Sequence, residues 1–257
     1  MIPKRIHYCW FGRGEMPKLV KWCVKSWKKF CPGWEIVLWN EDSFDVNSTL
    51  WTKQAYEAKK YAFVADYVRL KAMYEMGGVY LDSDVELVKP IDEFLKHEAF
   101  SGFENPRSVP TGIMASEAGQ QVIGRWLDWY TDRPYLIDGK PNMDPNVSFM
   151  TEDLVSRGLV LDNTFQIVDG FAMYPQTYFC PLHTDTVEHC RSDKTAAIHY
   201  FTSSWRSEKA RQGMKLAKRH STKWYKALVW LRCLPGRTAR KLLGEDRVDR
   251  IRERLGK

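Results

Sequence analysis

Asp82-Ser83-Asp84 follows a short apolar, β-prone run, Gly78-Val-Tyr-Leu81, so two carboxylates stand where a strand leaves a core. Side-chain alternation along a strand puts Asp82 and Asp84 on one side, their backbones about 7 Å apart. Like charges held that close call for a cation or a cationic partner, because carboxylates sharing a site cannot both ionise cheaply. Hard divalent ions such as Mg2+ or Mn2+ suit oxygen ligands of this kind and often carry a substrate's phosphates with them. The expectation is a metal site.

An Asp-x-Asp alone also describes a solvated acidic turn, and three specific readings compete with that one. A calcium-binding EF-hand loop would start at Asp82, with Asp84, Glu86 and Glu93 at its third, fifth and twelfth positions. Its sixth position needs Gly for the sharp turn and here holds Leu87, and Pro90 falls at the ninth. A haloacid-dehalogenase-type phosphotransferase would use Asp82 as nucleophile, but Glu86 stands where that pattern wants Thr or Val. The third reading is a transferase whose acids hold a metal bridging the diphosphate of a nucleotide-sugar. A non-catalytic sugar-binding protein on the same scaffold is a further alternative.

The elements around the pair point to an α/β domain. Arg5 to Trp10 reads as a strand and Pro17 to Phe30 as a helix with Val20, Cys23, Val24 and Trp27 on one face and Lys on the other. Glu35 to Trp39 is a second strand, so the three form a βαβ unit and imply a parallel sheet. A single long helix is expected from Ala55 to Met76, stopped by Gly77-Gly78. Within it Ala62, Asp66, Arg69 and Met73 form one stripe, so Asp66 and Arg69 point the same way. The Asp pair then lies at a strand's carboxyl end, where open α/β sheets bind ligands. Further on, Ser101 to Glu104 and Thr111-Gly112 read as loops flanking short strands. Gln121 to Tyr130 and Asp144 to Leu154 read as helices, and Ala196 to Tyr200 as a short strand ending near His199.

Composition is that of a folded chain with a sizeable core: 257 residues, 44% hydrophobic, 28% charged, eleven Trp. No run has the ~18 apolar residues of a spanning helix, and no export signal is seen, so the six Cys are expected reduced in a cytoplasmic protein. Cys180, His183, His189 and Cys190 crowd together, but their spacing fits no common zinc pattern. The charge is unevenly placed. Residues 206–257 hold 17 Lys/Arg and five Asp/Glu, a net +12, while residues 1–205 hold 22 basic and 27 acidic residues, a net −5.

Seven segments together resemble the DXD-containing glycosyltransferases of family 32, which include capsular-polysaccharide and initiating mannosyltransferases. They are Ile2-Pro-Lys-Arg-Ile-His-Tyr-Cys-Trp-Phe-Gly12, Ala58-Lys-Lys-Tyr-Ala-Phe-Val-Ala-Asp-Tyr-Val-Arg69, Gly77-Gly-Val-Tyr-Leu-Asp-Ser-Asp84, Gly102-Phe-Glu104, Tyr174-Pro175, Phe179-Cys-Pro181 and His199 to Trp205. Pro110 departs from the family pattern, which has Asn ahead of the Thr111-Gly112 loop on the acceptor side. The resemblance covers residues 1 to about 205 and implies a Rossmann-like, nucleotide-sugar-binding GT-A fold. It further implies a UDP- or GDP-sugar donor, a retaining transfer, and Mn2+ or Mg2+ as cofactor. Carried onto this chain, Trp10 would border the nucleotide base, and Asp66 and Arg69 would hold donor sugar and ribose hydroxyls. Tyr80 and Ser204 would belong to the donor site and Trp205 would close over the diphosphate. Asp82 would contact ribose or metal and Asp84 would ligate the metal. Either His199 or a Ser of Ser203-Ser204 would complete the coordination.

Such a catalytic domain over residues 1–205 leaves 206–257 as a basic helical extension, broken at Pro235-Gly236. Trp224, Leu228, Leu231 and Leu242-Leu243 give it an apolar side. A segment of this kind either packs on the body or lies on an anionic membrane surface. The second reading implies peripheral attachment at the inner face of the cell membrane, where a saccharide or lipid-linked acceptor would serve surface-polysaccharide synthesis. Charge alone would also permit nucleic-acid binding, but no recognition motif supports it.

Overall fold

The computed structural model describes residues 1–110, 112–142, 146–181 and 192–202. Ser203, Ser204, Trp205 and the basic extension of 206–257 lie outside the described residues, as do Thr111, His183, His189 and Cys190.

Arg5–Cys9 (β1), Lys18–Phe30 (α1) and Glu35–Trp39 (β2) form the expected strand–helix–strand unit, with β1 and β2 parallel from Arg5↔Glu35 to Cys9↔Trp39. The expected long helix is two helices, Leu50–Glu57 (α2) and Tyr61–Met76 (α3). Ala58 caps the first, and Lys59 takes a left-handed φ of 56°, so the α-helical hydrogen-bond ladder cannot run through. Thr49 opens α2 by accepting a hydrogen bond from the Thr52 amide at 3.1 Å. Gly77 ends α3 at φ 61°, and a Cβ there would lie 2.8 Å from the Ala118 nitrogen, so only glycine serves.

Then follow Gly78–Leu81 (β3), Val85–Leu87 (β4), Ala99–Gly102 (β5), Ile113–Ser116 (β6) and Gln121–Asp128 (α4). Leu136–Ile137 (β7) and Lys140–Pro141 (β8) make a small hairpin ahead of Asn146–Ser156 (α5). Gln166–Val168 (β9), Phe171–Tyr174 (β10), Gln176–Phe179 (α6) and Ala197–His199 (β11) complete the described elements. Ser101 and Gly102, read from sequence as loop, belong to β5.

A seven-stranded mixed sheet runs in the order β2-β1-β3-β6-β5-β10-β9, with β1–β2, β1–β3 and β5–β10 parallel. This α/β architecture, with the Asp pair at the carboxyl end of β3, is consistent with the GT-A fold. Alternate strand residues feed two cores, Tyr80 and Met114 on one face, Val79, Leu81 and Ile113 on the other. Buried Trp side chains anchor both, each contributing on the order of 3 kcal/mol or more through apolar burial. Their indole N–H groups also find acceptors: Trp51 donates to Phe63 O and Trp27 to Val85 O, both at 2.8 Å.

His7, fully buried on β1, ties the sheet to the α3–β3 turn. Its Nδ1 accepts from the Trp39 indole at 3.1 Å, so its Nε2–H donates to Gly77 O at 2.9 Å. Burial pushes the imidazole below its ordinary pKa, against the pull of the Gly77 bond. A depressed native value means the stabilisation is complete above the unfolded value of about 6.5 and lost as pH falls toward the native one. The stability gap between wild type and His7→Gln, read from urea midpoints, should therefore narrow between pH 7.5 and pH 5, by at most about 1.4 kcal/mol per unit. A gap that stays constant would show that His7 does not titrate in this way.

Candidate functional site

A second, two-stranded ladder assembles the site. Strand β11 pairs antiparallel with β4 in the register Ala197↔Leu87, Ile198↔Glu86 and His199↔Val85, which sets His199 beside Asp84. Helix α1 holds the other edge of β4: Trp27 donates to Val85 O, and the Ser26 hydroxyl accepts from Leu87 N at 3.0 Å. Asp82 and Asp84 occupy a turn between β3 and β4, closed by Val85 N donating to Asp82 O at 2.9 Å. Strand alternation, the basis for expecting them on one side, therefore does not apply; the turn brings their carboxylates together instead.

Asp84 is buried and heavily bonded. Thr202 donates to its Oδ2 from both its backbone N and its hydroxyl, each at 2.8 Å, while Tyr200 N donates to the Asp84 carbonyl at 3.1 Å. The other oxygen, Oδ1, faces His199 Nε2 at 3.2 Å. Burial opposes the charge on Asp84, but His199 and Thr202 outweigh it and hold the carboxyl well below the usual carboxylate range. Burial likewise opposes protonation of His199, yet its bond to Asp84 and the charges of Asp84 and Asp82 raise it well above an ordinary histidine. Phe201 stacks on its ring at 4.0 Å.

Asp66 and Arg69 form the expected ion pair on α3, with Arg69 Nη2 donating to Asp66 Oδ1. Arg69 also reaches toward Asp82 Oδ1 at 3.9 Å, so it links the helix to the Asp82–Asp84 turn. Its guanidinium lies over the Tyr80 ring, 5.1 Å from the centroid. Tyr80, expected among the donor-binding residues, is only 2% exposed and acts here as the floor beneath Arg69. Burial pushes the Asp66 carboxyl up to about 6 against the pull of Arg69, with the Asp82 charge adding to the rise. Trp10 is half-buried at the end of β1 and donates its indole N–H to Gly14 O at 2.7 Å.

Asp82, Asp84 and His199 each offer a ligand atom within 4.8 Å of the others, the one such group among the described residues. The two carboxylates suit Mn2+ or Mg2+, the imidazole nitrogen favours the softer Mn2+ of the two, and spacings of this size close onto one ion with small side-chain movement. Of the two candidates for third ligand, His199 stands beside the pair; Ser203 and Ser204 fall outside the described residues.

Two contributors went unread in the sequence. Thr202 orients Asp84, as a second layer of hydrogen bonds orients metal ligands generally. Gly112, part of the loop that the family resemblance implies on the acceptor side, lies against Asp82 and His199. Its carbonyl accepts from Asp82 N at 2.8 Å, and a Cβ at 112 would stand 2.9 Å from both Asp82 Oδ2 and His199 Nδ1. A Thr-Gly dipeptide carries no sequence signal for that role. Cys9, Cys23, Cys31 and Cys180 are buried in the body, away from this cluster.

Residues 17–101 match the glycosyltransferase sugar-binding region containing DXD motif. The chain is 31% identical over 126 residues to inositol phosphoceramide mannosyltransferase 3 of Schizosaccharomyces pombe, covering 48% of this chain and 35% of that protein. It is 34% identical over 82 residues to glucan organizing enzyme 1 of Cryptococcus neoformans, covering 28% and 22%. The chain thus spans about a third or less of the length of these two relatives. Among solved structures it is similar to the galactosyltransferase LgtC, at 13% identity and a TM-score of 0.41, over 91% of this chain and 98% of that one.

Gly112→Ala should weaken Mn2+ binding at least tenfold, measured by electron paramagnetic resonance, while the unfolding midpoint moves little. Unchanged affinity would remove Gly112 from the site. With its pKa raised by Asp84 and Asp82, His199 should release a proton on ligating Mn2+. Affinity should therefore rise from pH 6 to pH 8, by up to about tenfold per unit, with proton release seen by calorimetry in two buffers. A flat profile would mean that His199 does not give up a proton to the ion.

Proposed function

We propose, from the premise that this chain carries the sugar-binding region of the DXD-containing glycosyltransferases, that it transfers a hexose from a nucleotide-sugar to a saccharide or lipid-linked acceptor. The observation that carries the reading is the convergence of Asp82, Asp84 and His199 beside the Asp66–Arg69 pair. A divalent cation held by the first three would neutralise charge on the leaving diphosphate. Asp66 and Arg69 offer an acceptor and a donor for donor-sugar and ribose hydroxyls, in a pocket where burial strengthens both. Trp10, Ser204 and Trp205 keep the donor-side roles that the family resemblance implies.

The transfer we propose retains configuration. The acceptor hydroxyl attacks the anomeric carbon on the face the diphosphate leaves, the carbon–phosphate-oxygen bond breaks, and the hydroxyl proton passes to the departing phosphate oxygen. The phosphotransferase alternative needs Asp82 free for in-line attack, whereas its carboxylate faces Arg69 and His199, an arrangement that favours ligation. The name of the fission-yeast relative makes a mannose-bearing donor the first to test. Surface-polysaccharide synthesis at the inner face of the cell membrane, with the 206–257 segment as an attachment, completes the proposal.

The test is nucleoside diphosphate release from a panel of sugar nucleotides with Mn2+. Wild type should turn over at least one donor, Asp84→Ala should lose activity by about 100-fold or more, and Asp66→Asn should lose mainly kcat/KM. Full activity in Asp84→Ala, or activity unaffected by chelator, would refute the reading.

A further inference from the structure

The outer face of α1 is built for contact with something anionic. Lys18, Lys21, Lys25, Lys28 and Lys29 are all exposed, and Trp22 stands 58% exposed among them. At 100° per residue these six positions fall within about a third of the helix circumference. The helix contains no acidic residue. Among the described residues, only Lys21 of the five has a carboxylate partner, Glu15 at 2.6 Å.

That pattern does not serve helix stability. Lys18/Lys21, Lys21/Lys25, Lys25/Lys28 and Lys25/Lys29 are like-charge pairs at i,i+3 or i,i+4, each of which weakens a helix. Lys28 and Lys29 complement the dipole at the helix end, but Lys18, Lys21 and Lys25 do not. Trp22 is exposed yet anchored. Its indole N–H donates to Glu86 Oε1 at 3.1 Å, and Glu86 Oε2 accepts from the Tyr200 hydroxyl at 2.5 Å. Glu86 lies on β4, two residues past Asp84, so the face is tied directly to the ladder that carries the metal ligands.

We infer that the α1 face docks on an anionic lipid surface. Lysines along a convex helix, with a tryptophan held among them, match the headgroup region of such a surface: the ammonium groups meet phosphates while the aromatic ring takes the interface. A single-stranded RNA would ask instead for a groove and open aromatic faces, and the helix offers neither a groove nor an arginine. Docking there would bring the metal-site ladder close to a membrane-borne acceptor. The claim concerns binding alone and stands apart from the sugar-transfer reading.

The test uses the full chain and phosphatidylcholine vesicles with or without phosphatidylglycerol, read by co-sedimentation. The basic 206–257 segment is the same in every variant, so differences report on the body. Lys18→Gln/Lys25→Gln/Lys29→Gln should lower partition onto the anionic vesicles by about fivefold per lysine. A control triple on exposed lysines elsewhere, Lys53→Gln/Lys140→Gln/Lys194→Gln, should shift it less than twofold. Circular dichroism and Mn2+ binding identical to wild type show that the α1 triple is folded. Equal loss in both triples, or no loss in the first, overturns the proposal. So does a loss of single-stranded RNA binding by the α1 triple with vesicle binding intact.

Discussion

The three-residue ladder between β4 and β11 is the constraint on which the site depends. Asp84 and the residue that fixes its carboxylate, Thr202, are 118 positions apart in the chain. No helix or long strand spans that gap. The register His199↔Val85 alone sets an imidazole beside an aspartate, and Tyr200 N closes the pairing onto the Asp84 carbonyl. A one-residue slip would turn His199 to the opposite face of the ladder. The register is held from the far side too, where α1 offers the Trp27 indole and the Ser26 hydroxyl to the outer edge of β4. Backbone pairing and helix packing thus share one job.

Charge is the cost of this arrangement. Asp66, Asp82 and Asp84 crowd around Arg69 and His199, and burial disfavours every one of the buried charges. The structure answers with paired cations and donated hydrogen bonds. Arg69 serves both Asp66 and Asp82 from its seat over Tyr80, and Thr202 saturates one oxygen of Asp84. Such a cluster contributes little net stability; its value lies in presenting one oxygen of each turn aspartate and one imidazole nitrogen to the same point. Gly112 keeps that point clear, because even a methyl group there would press on Asp82 and His199 together.

Much of this could be read from the residues alone, where local signals are strong. The parallel β1–α1–β2 unit follows from apolar periodicity. The Asp66–Arg69 pair follows from an i,i+3 spacing on a helix. The break at Lys59 has no glycine to announce it: a lysine takes the left-handed φ of the helix end, with Lys59 N and Lys60 N donating back to Tyr56 O and Ala55 O. The Asp-Ser-Asp turn reads as strand in the sequence because β3 and β4 are so short that the turn between them has no pattern of its own. His199 is one of two candidates for third ligand in the sequence. What sets it beside the pair is pairing between strands of three residues each, below the length at which alternation is detectable. Thr202 and Gly112 act through backbone position, which residue type does not announce.

The central claim is that Asp82, Asp84 and His199 hold one divalent cation. Pulsed electron paramagnetic resonance on the Mn2+-loaded protein addresses it most directly, since an imidazole nitrogen bound to the ion modulates the echo. Wild type should show that nitrogen signal and His199→Ala should lose it, while water and carboxylate signals persist in the variant. A nitrogen signal unchanged in His199→Ala, or its absence from saturated wild type, would contradict the account.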